Sequence, residues 1–95
     1  MNHTTTKTKT QTIITIKNKT IINIDEFGKI LNINGYSLKD DLYIELLLKV
    51  PIDTKVESIM EFFKQLQETI TTNTTCMFNF EVTDNKSCLI EVVLK

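Results

Sequence analysis

The chain has 95 residues, of which 41% are hydrophobic and 24% charged, and this predicts one globular domain with a small core. It contains no Arg and has a formal net charge of −1, so binding to a phosphate backbone is unfavourable. No apolar run approaches the length of a membrane span, so we expect no membrane contact and a cytoplasmic location. Ile, Lys, Asn and Thr are abundant, which is typical of an A/T-rich genome such as that of a low-GC bacterium, one of its phages or several eukaryotic lineages.

Residues 1–10 form a polar segment rich in Thr and Lys. Because such a segment has little to bury, we predict a flexible tail that precedes a single α+β domain over residues 11–95. His3, the only histidine, lies in this tail. Nucleophile systems that need an oriented histidine, and histidine-based metal sites, are therefore not expected.

After the tail, runs of β-branched residues predict a meander of three strands. They are residues 12–17, 20–24 and 29–34. The intervening Asp25-Glu26-Phe27-Gly28 is interpreted as a turn in which Gly28 adopts a positive φ, and Asn34-Gly35 as another turn. Residues 42–50 then alternate strictly between two faces, which is the clearest strand pattern in the chain.

A single helix is predicted over about residues 54–72, because apolar residues recur there with helical spacing. The stripe consists of Val56, Ile59, Met60, Phe63, Leu66 and Ile70, and Phe62 borders it. Thr54 and Glu57 have the spacing of a capping box at the start of this helix.

The last third is predicted to be a hairpin in which residues 76–82 pair directly with residues 88–94. Pairing Phe80 with Ile90 places the apolar residues of both strands on one face, and Phe78 and Phe80 are assigned to the core. In this register Cys76 and Cys88 lie about 20 Å apart and act as free, buried thiols. The predicted fold is therefore a two-layer α+β domain. It has an antiparallel or mixed sheet of five to six strands on one helix, in the order β-β-β-β-α-β-β.

Patterns for catalysis, cofactors and metals are weak. The acidic pairs Asp25-Glu26 and Asp40-Asp41 lie in predicted turns, lack the spacing of a calcium loop and are interpreted as solvated surface. Gly28 and Gly35 are isolated, so neither belongs to a phosphate-binding loop. We expect no catalytic residue, no cofactor and no metal, and an enzyme would have to rely on carboxylates alone.

The second face of the sheet is the one candidate site, because it combines apolar and charged residues. Its candidate interface residues are Tyr43, Leu47, Met77, Leu89 and Val93. If this face is uncovered, it forms a mixed patch of the kind found at protein interfaces. In the alternative arrangement the N-terminal meander curls over it. Exposed strand edges offer strand addition as a further mode of contact.

These features favour a non-enzymatic protein–protein interaction module, such as a small inhibitor or adaptor of phage or low-GC bacterial origin. Its protein partner is not identified by the sequence. A structural subunit of a homo-oligomer or larger assembly is the alternative reading. A small-ligand or nucleic-acid-binding module comes third, because recognition by Lys alone on an acidic body is unfavourable.

Overall fold

The computed structural model describes residues 2–95. This part of the chain contains five strands and two helices. In chain order they are β1 (Asn2–Lys7), β2 (Thr12–Asn18), α1 (Ile24–Ile33), β3 (Tyr43–Pro51), α2 (Val56–Thr69), β4 (Thr75–Thr83) and β5 (Cys88–Leu94). The strands form one sheet in the order β1-β2-β5-β3-β4. Strands β3 and β4 are parallel, and all other neighbours are antiparallel. The predicted α+β class and mixed five-stranded sheet are confirmed, whereas the prediction of one helix is wrong.

Both helices bury their apolar faces in a single core on one side of the sheet. Every second residue of β3 and β5 faces this core, and Leu48 and Val92 are fully buried there. Phe27 of α1 and Phe62 of α2 meet edge to face, with their ring centroids 5.7 Å apart. Such aromatic pairs add to the stabilisation that comes from burial alone, so this contact joins the two helices above the sheet.

Helix α1 is the largest difference from the sequence prediction, which placed two strands and a turn between residues 20 and 34. The side chain of Asn23 caps the helix, since its Oδ1 accepts a hydrogen bond of 2.9 Å from the Glu26 N–H. Phe27, Ile30 and Leu31 have helical spacing and are buried. Gly28 lies inside this helix and does not adopt a positive φ, in contrast to the prediction. The cap and the buried face outweigh the β propensity of the isoleucines.

The predicted hairpin between β4 and β5 is also wrong, because β3 lies between these two strands. Leu48 of β3 is aligned with Phe80 on one side and with Ile90 on the other. The predicted face of each residue is therefore right and the predicted neighbour is not. Helix α2 is shorter than predicted, and the capping box does not form, since the N-cap residue is Lys55 and makes no side-chain cap hydrogen bond.

The N-terminal segment forms strand β1 where the sequence suggests a flexible tail. Asn2–Lys7 pairs with β2 along its whole length, and the Thr5 hydroxyl donates a 2.8 Å hydrogen bond to Asn34 Oδ1 at the end of α1. Met1 lies outside the described residues. The mobility of the segment stays a prediction.

The two cysteines lie on the core side of the sheet at opposite ends. Cys76 is aligned with Ile44 near the start of β3, whereas Cys88 lies one residue beyond the aligned pair Lys49 and Leu89. Both thiols are free. Burial raises the pKa of each thiol above its ordinary value, so both are poor nucleophiles at neutral pH.

Candidate interaction surfaces

The outer sheet face, opposite the helices, carries all five residues that the sequence predicts as an interface. Tyr43 and Leu47 come from β3, Met77 from β4, and Leu89 and Val93 from β5. Among residues 2–95, the N-terminal strands extend the sheet and both helices pack on its other side, so this face is not covered by a second layer. The five residues therefore share one surface, and their role in binding stays a prediction.

Charged side chains interrupt the apolar residues of the outer sheet face. Lys49 Nζ lies 3.0 Å from a carboxylate oxygen of Glu91 and 3.8 Å from one of Glu81. The hydrogen bond to Glu91 and the charge of its carboxylate raise the pKa of the Lys49 amino group. Lys95 Nζ pairs with Glu45 at 3.5 Å. A partner on this face must accommodate charges of both signs, and exposed pairs of this kind add little to stability.

A shallow depression of about 390 Å³ lies on the outer sheet face between β5, β3 and β4. Leu47, Met77 and Val93 contribute apolar side chains to it, and Glu45 and Glu91 contribute carboxylates. Met77 is 52% exposed, whereas Leu47 and Val93 are only partly exposed. The depression is therefore apolar and open, but the area it offers to a partner is small.

A second exposed apolar surface lies along the edge strand β4 and the adjoining side of α2, and we call it the edge surface. Its members are Val56, Met60, Phe78, Phe80 and Val82. Their exposed fractions range from 36% for Phe78 to 60% for Val56. Sequence reasoning missed this surface, since it assigned Phe78 and Phe80 to the core and Val56 and Met60 to the buried stripe of the helix.

One aromatic contact places α2 alongside β4. The ring of Phe63 stacks on that of Phe78, with centroids 4.4 Å apart. The chain leaves β3, returns through α2 and re-enters the sheet as the parallel strand β4, so α2 runs against the direction of β4. Met60, one turn before Phe63, therefore lies towards the end of β4 that carries Phe80 and Val82.

The exposure of β4 results from its place at the end of the sheet. Strand β5 lies between β2 and β3, and its core-facing residues are all buried. Strand β4 has the same alternation of apolar residues but has only β3 beside it, and most of its residues are exposed. Helix α2 covers its inner face only in part. The apolar side chains of β4 thus exceed what packing within one protomer uses.

The backbone of β4 offers a free edge for hydrogen bonding. The N–H of Thr75 donates to the carbonyl of Leu42, so residue 75 points towards the β3 side. Successive residues of a parallel strand point to alternate sides, which directs the backbone groups of Cys76, Phe78, Phe80 and Val82 to the free edge. The Asn79 side chain accepts a 2.8 Å hydrogen bond from the Phe80 N–H, as this orientation requires. Strand β4 contains neither Lys nor Pro, the residues that commonly protect an edge.

Three other properties of residues 2–95 bear on function, namely the arrangement of potential metal ligands, the contacts of acidic residues and the length of the helices. No group of three or more His, Cys, Asp and Glu residues in this range is arranged to hold a metal ion. The Asp41 carboxylate accepts a 2.8 Å hydrogen bond from Thr71, and Asp25 and Glu26 lie in the first turn of α1, where acidic residues are favourable. No helix in the described part of the chain is long and apolar enough to cross a membrane.

No protein-family model matches the chain, and no curated protein is significantly similar to it. The two exposed surfaces are therefore the basis for a functional proposal.

Proposed function

We propose that the chain is a non-enzymatic protein–protein interaction module that binds its partner through the edge surface. The supporting observation is the coincidence of exposed apolar side chains with the edge of β4 that has no neighbouring strand. Contiguous apolar patches on a small domain mark interaction sites, and a free strand edge accepts a further strand. The alternating polar and apolar residues of β4 suit this mode of binding.

Binding at the edge surface combines two kinds of contact. The backbone of a partner strand pairs with the groups of Phe78 and Phe80 that point to the free edge, and this pairing supplies affinity with little dependence on sequence. Side chains of the partner that point to the helix side are buried against Met60 and Val56, which are both more than half exposed. Selectivity then comes from the shape of this apolar strip.

The outer sheet face is a second candidate surface, supported by its open apolar depression. Met77 belongs to this depression and to β4, so the two surfaces adjoin along one strand but face opposite sides of the sheet. The double substitution of Leu47→Lys and Leu89→Lys removes binding at this face. It leaves the inner side of the edge surface intact, so the two candidates can be separated.

Site-specific photo-crosslinking in the source cell tests the proposal. A benzophenone side chain is introduced separately at Val82, at Leu47 and at Ile33. Ile33 is 73% exposed, lies at the end of α1 and serves as the matched control outside both surfaces. We expect a discrete adduct from position 82 and only diffuse background from position 33.

Two outcomes contradict the proposed function. Background labelling at both Val82 and Leu47 means that neither surface is occupied by a protein. A discrete adduct from position 47 alone moves the interface from the edge surface to the outer sheet face. The mass of the adduct from position 82 then separates a second copy of the chain from a different protein.

A further inference from the structure

We propose that the partner of the edge surface is a second copy of this chain, with the two β4 strands paired antiparallel about a twofold axis at Asn79. The inference rests on the proposed function, because it names the occupant of the same surface. The resulting dimer has one continuous sheet of ten strands, given the five strands of each protomer. The symmetry is isologous, so each protomer contributes the same residues.

The register follows from the length of β4 and the direction of its backbone groups. Strand β4 spans Thr75–Thr83, and its central residue is Asn79. Centring the pair there gives the longest ladder and sets Phe78 opposite Phe80 of the second copy. Both of these residues direct their N–H and C=O groups to the free edge. They form a hydrogen-bonded pair of the antiparallel kind when the Phe80 N–H exchanges its hydrogen bond to Asn79 Oδ1 for one to the second copy.

Side-chain chemistry agrees with this register. Phe78 meets Phe80 of the second copy and Cys76 meets Val82, so the inner face pairs apolar with apolar. On the outer face Glu81 lies opposite Met77 of the second copy. The two Glu81 side chains are then about 13 Å apart along the strands, which avoids direct repulsion. A shift by one residue would set apolar residues opposite polar ones.

Competing registers are less favourable. Moving the twofold axis from Asn79 to Phe78 or Phe80 offsets the pairing by two residues. This keeps the faces matched but leaves residues at the strand ends without a partner. A centre at Glu81 places the two glutamates directly opposite each other, which is unfavourable. With the axis at Asn79, every pair along β4 is compatible, so the preference for this register does not depend on one residue.

The helices extend the same contact. A twofold axis perpendicular to the sheet leaves both copies of α2 on one face, with the Val56 and Met60 sides turned towards each other. The accessible surface of the whole protomer is 5976 Å², and a standard interface covers about a tenth of a small protein's surface, so a dimer needs on the order of 600 Å² from each copy.

The first measurement is the mass of the untagged chain in solution, by light scattering over a range of concentrations. We expect a species of twice the 11.0 kDa chain mass that dissociates on dilution. A monomer at the highest attainable concentration overturns the inference.

A designed disulfide tests the register. Residues in a hydrogen-bonded antiparallel pair have Cα atoms about 5.5 Å apart, within the range that a disulfide bridges. In the variant Val82→Cys the introduced thiol lies opposite the natural Cys76 of the second copy. We expect oxidation at alkaline pH, which offsets the raised pKa of the Cys76 thiol, to give a covalent dimer in this variant. The matched control combines Val82→Cys with Cys76→Ser and should remain uncrosslinked.

The outcomes separate this inference from the proposed function. A dimer without the Cys76-dependent crosslink overturns the β4 pairing, as does crosslinking of the control at the same rate. A monomeric chain with a photo-adduct of a different protein at Val82 overturns self-association while the proposed function stands. A monomeric chain with no discrete adduct from either surface overturns both.

Discussion

The two edge strands, β1 and β4, differ in the polarity of their side chains. Strand β1 has the sequence Asn-His-Thr-Thr-Thr-Lys, and its Thr5 hydroxyl and Lys7 amino group donate hydrogen bonds to Asn34 at the end of α1. Strand β4 presents exposed Phe80 and Val82, and α2 covers it only in part. A polar edge that is tied to a helix end leaves no apolar surface, whereas an apolar edge with partial cover does.

This difference separates edge residues that suit an exposed position from edge residues that do not. Thr5 and Phe80 occupy equivalent inner-face positions, since Thr5 is aligned with buried Ile14 and Phe80 with buried Leu48. A residue on an edge strand has a neighbouring strand on one side only, whereas a residue on a central strand has one on both sides. Thr5 suits that environment, but the ring of Phe80 does not. Packing within the protomer therefore does not explain the apolar composition of β4, whereas the proposed partner would.

The largest expected effect separates the core from the edge surface. Phe62 is 3% exposed and Phe80 is 40% exposed. We expect Phe62→Ala to lower the free energy of unfolding by about 3–5 kcal/mol, because it leaves a cavity in the core. Phe80→Ala should cost about 1 kcal/mol in the dilute protomer, because water already reaches the ring. Urea unfolding at low protein concentration measures both, and equal costs would make β4 part of the core.

The next largest effect is expected on the dissociation constant of the proposed dimer. Val82→Lys and Met60→Lys each place a charge in the edge surface, and we expect each to raise the dissociation constant of the dimer at least tenfold, or about 1.4 kcal/mol. The control Ile33→Lys changes an exposed residue outside the surface and should leave the constant unchanged. Sedimentation equilibrium measures the constants. An equal effect of all three substitutions would show a response to added charge and not a local interface.

A smaller effect tests the attachment of β1. Thr5→Val removes the hydrogen bond to Asn34 and keeps the shape of the side chain. We expect the free energy of unfolding to fall by about 1 kcal/mol. Hydrogen exchange should speed up at the β1 amides and remain unchanged in β4. Fast exchange of β1 already in the original chain would support the flexible tail that the sequence predicts.

The smallest effect tests the helix beneath this polar edge. A Cβ at Gly28 would lie 3.6 Å from Leu38 Cδ1, an ordinary contact, so Gly28→Ala should stabilise α1 by about 0.5–1 kcal/mol. Gly35 has a φ of 88°, which L residues rarely adopt, so Gly35→Ala should destabilise the chain by a similar amount. Thermal unfolding distinguishes the two. Destabilisation by Gly28→Ala would favour the turn that the sequence suggests at this position.

Local periodicity was sufficient for part of this structure. The alternation in residues 42–50 predicted which side chains of β3 are buried, and the same rule placed the five candidate interface residues on one face. The helical spacing after Pro51 predicted α2. These features are recoverable from sequence because the side-chain period of a strand or helix is a property of neighbouring residues.

Helix α1 could be predicted only in part. Asn23 and Glu26 have the spacing of an N-terminal cap, and Phe27, Ile30 and Leu31 have helical spacing, so a signal was present. The isoleucines and Gly28 gave a competing signal for strands and a turn. Burial of Phe27 against Phe62 favours the helix, and that contact is not visible from the segment alone.

The sequence by itself determined the class of the domain, the alternation of its strands and the faces on which their side chains lie. Only the tertiary structure decided that β5 is central and β4 is at the edge, although both strands have the same apolar alternation. The physical reason is that strand order depends on contacts between distant segments, here the insertion of β5 between β2 and β3. That insertion leaves Phe80 and Val82 exposed and forms the edge surface.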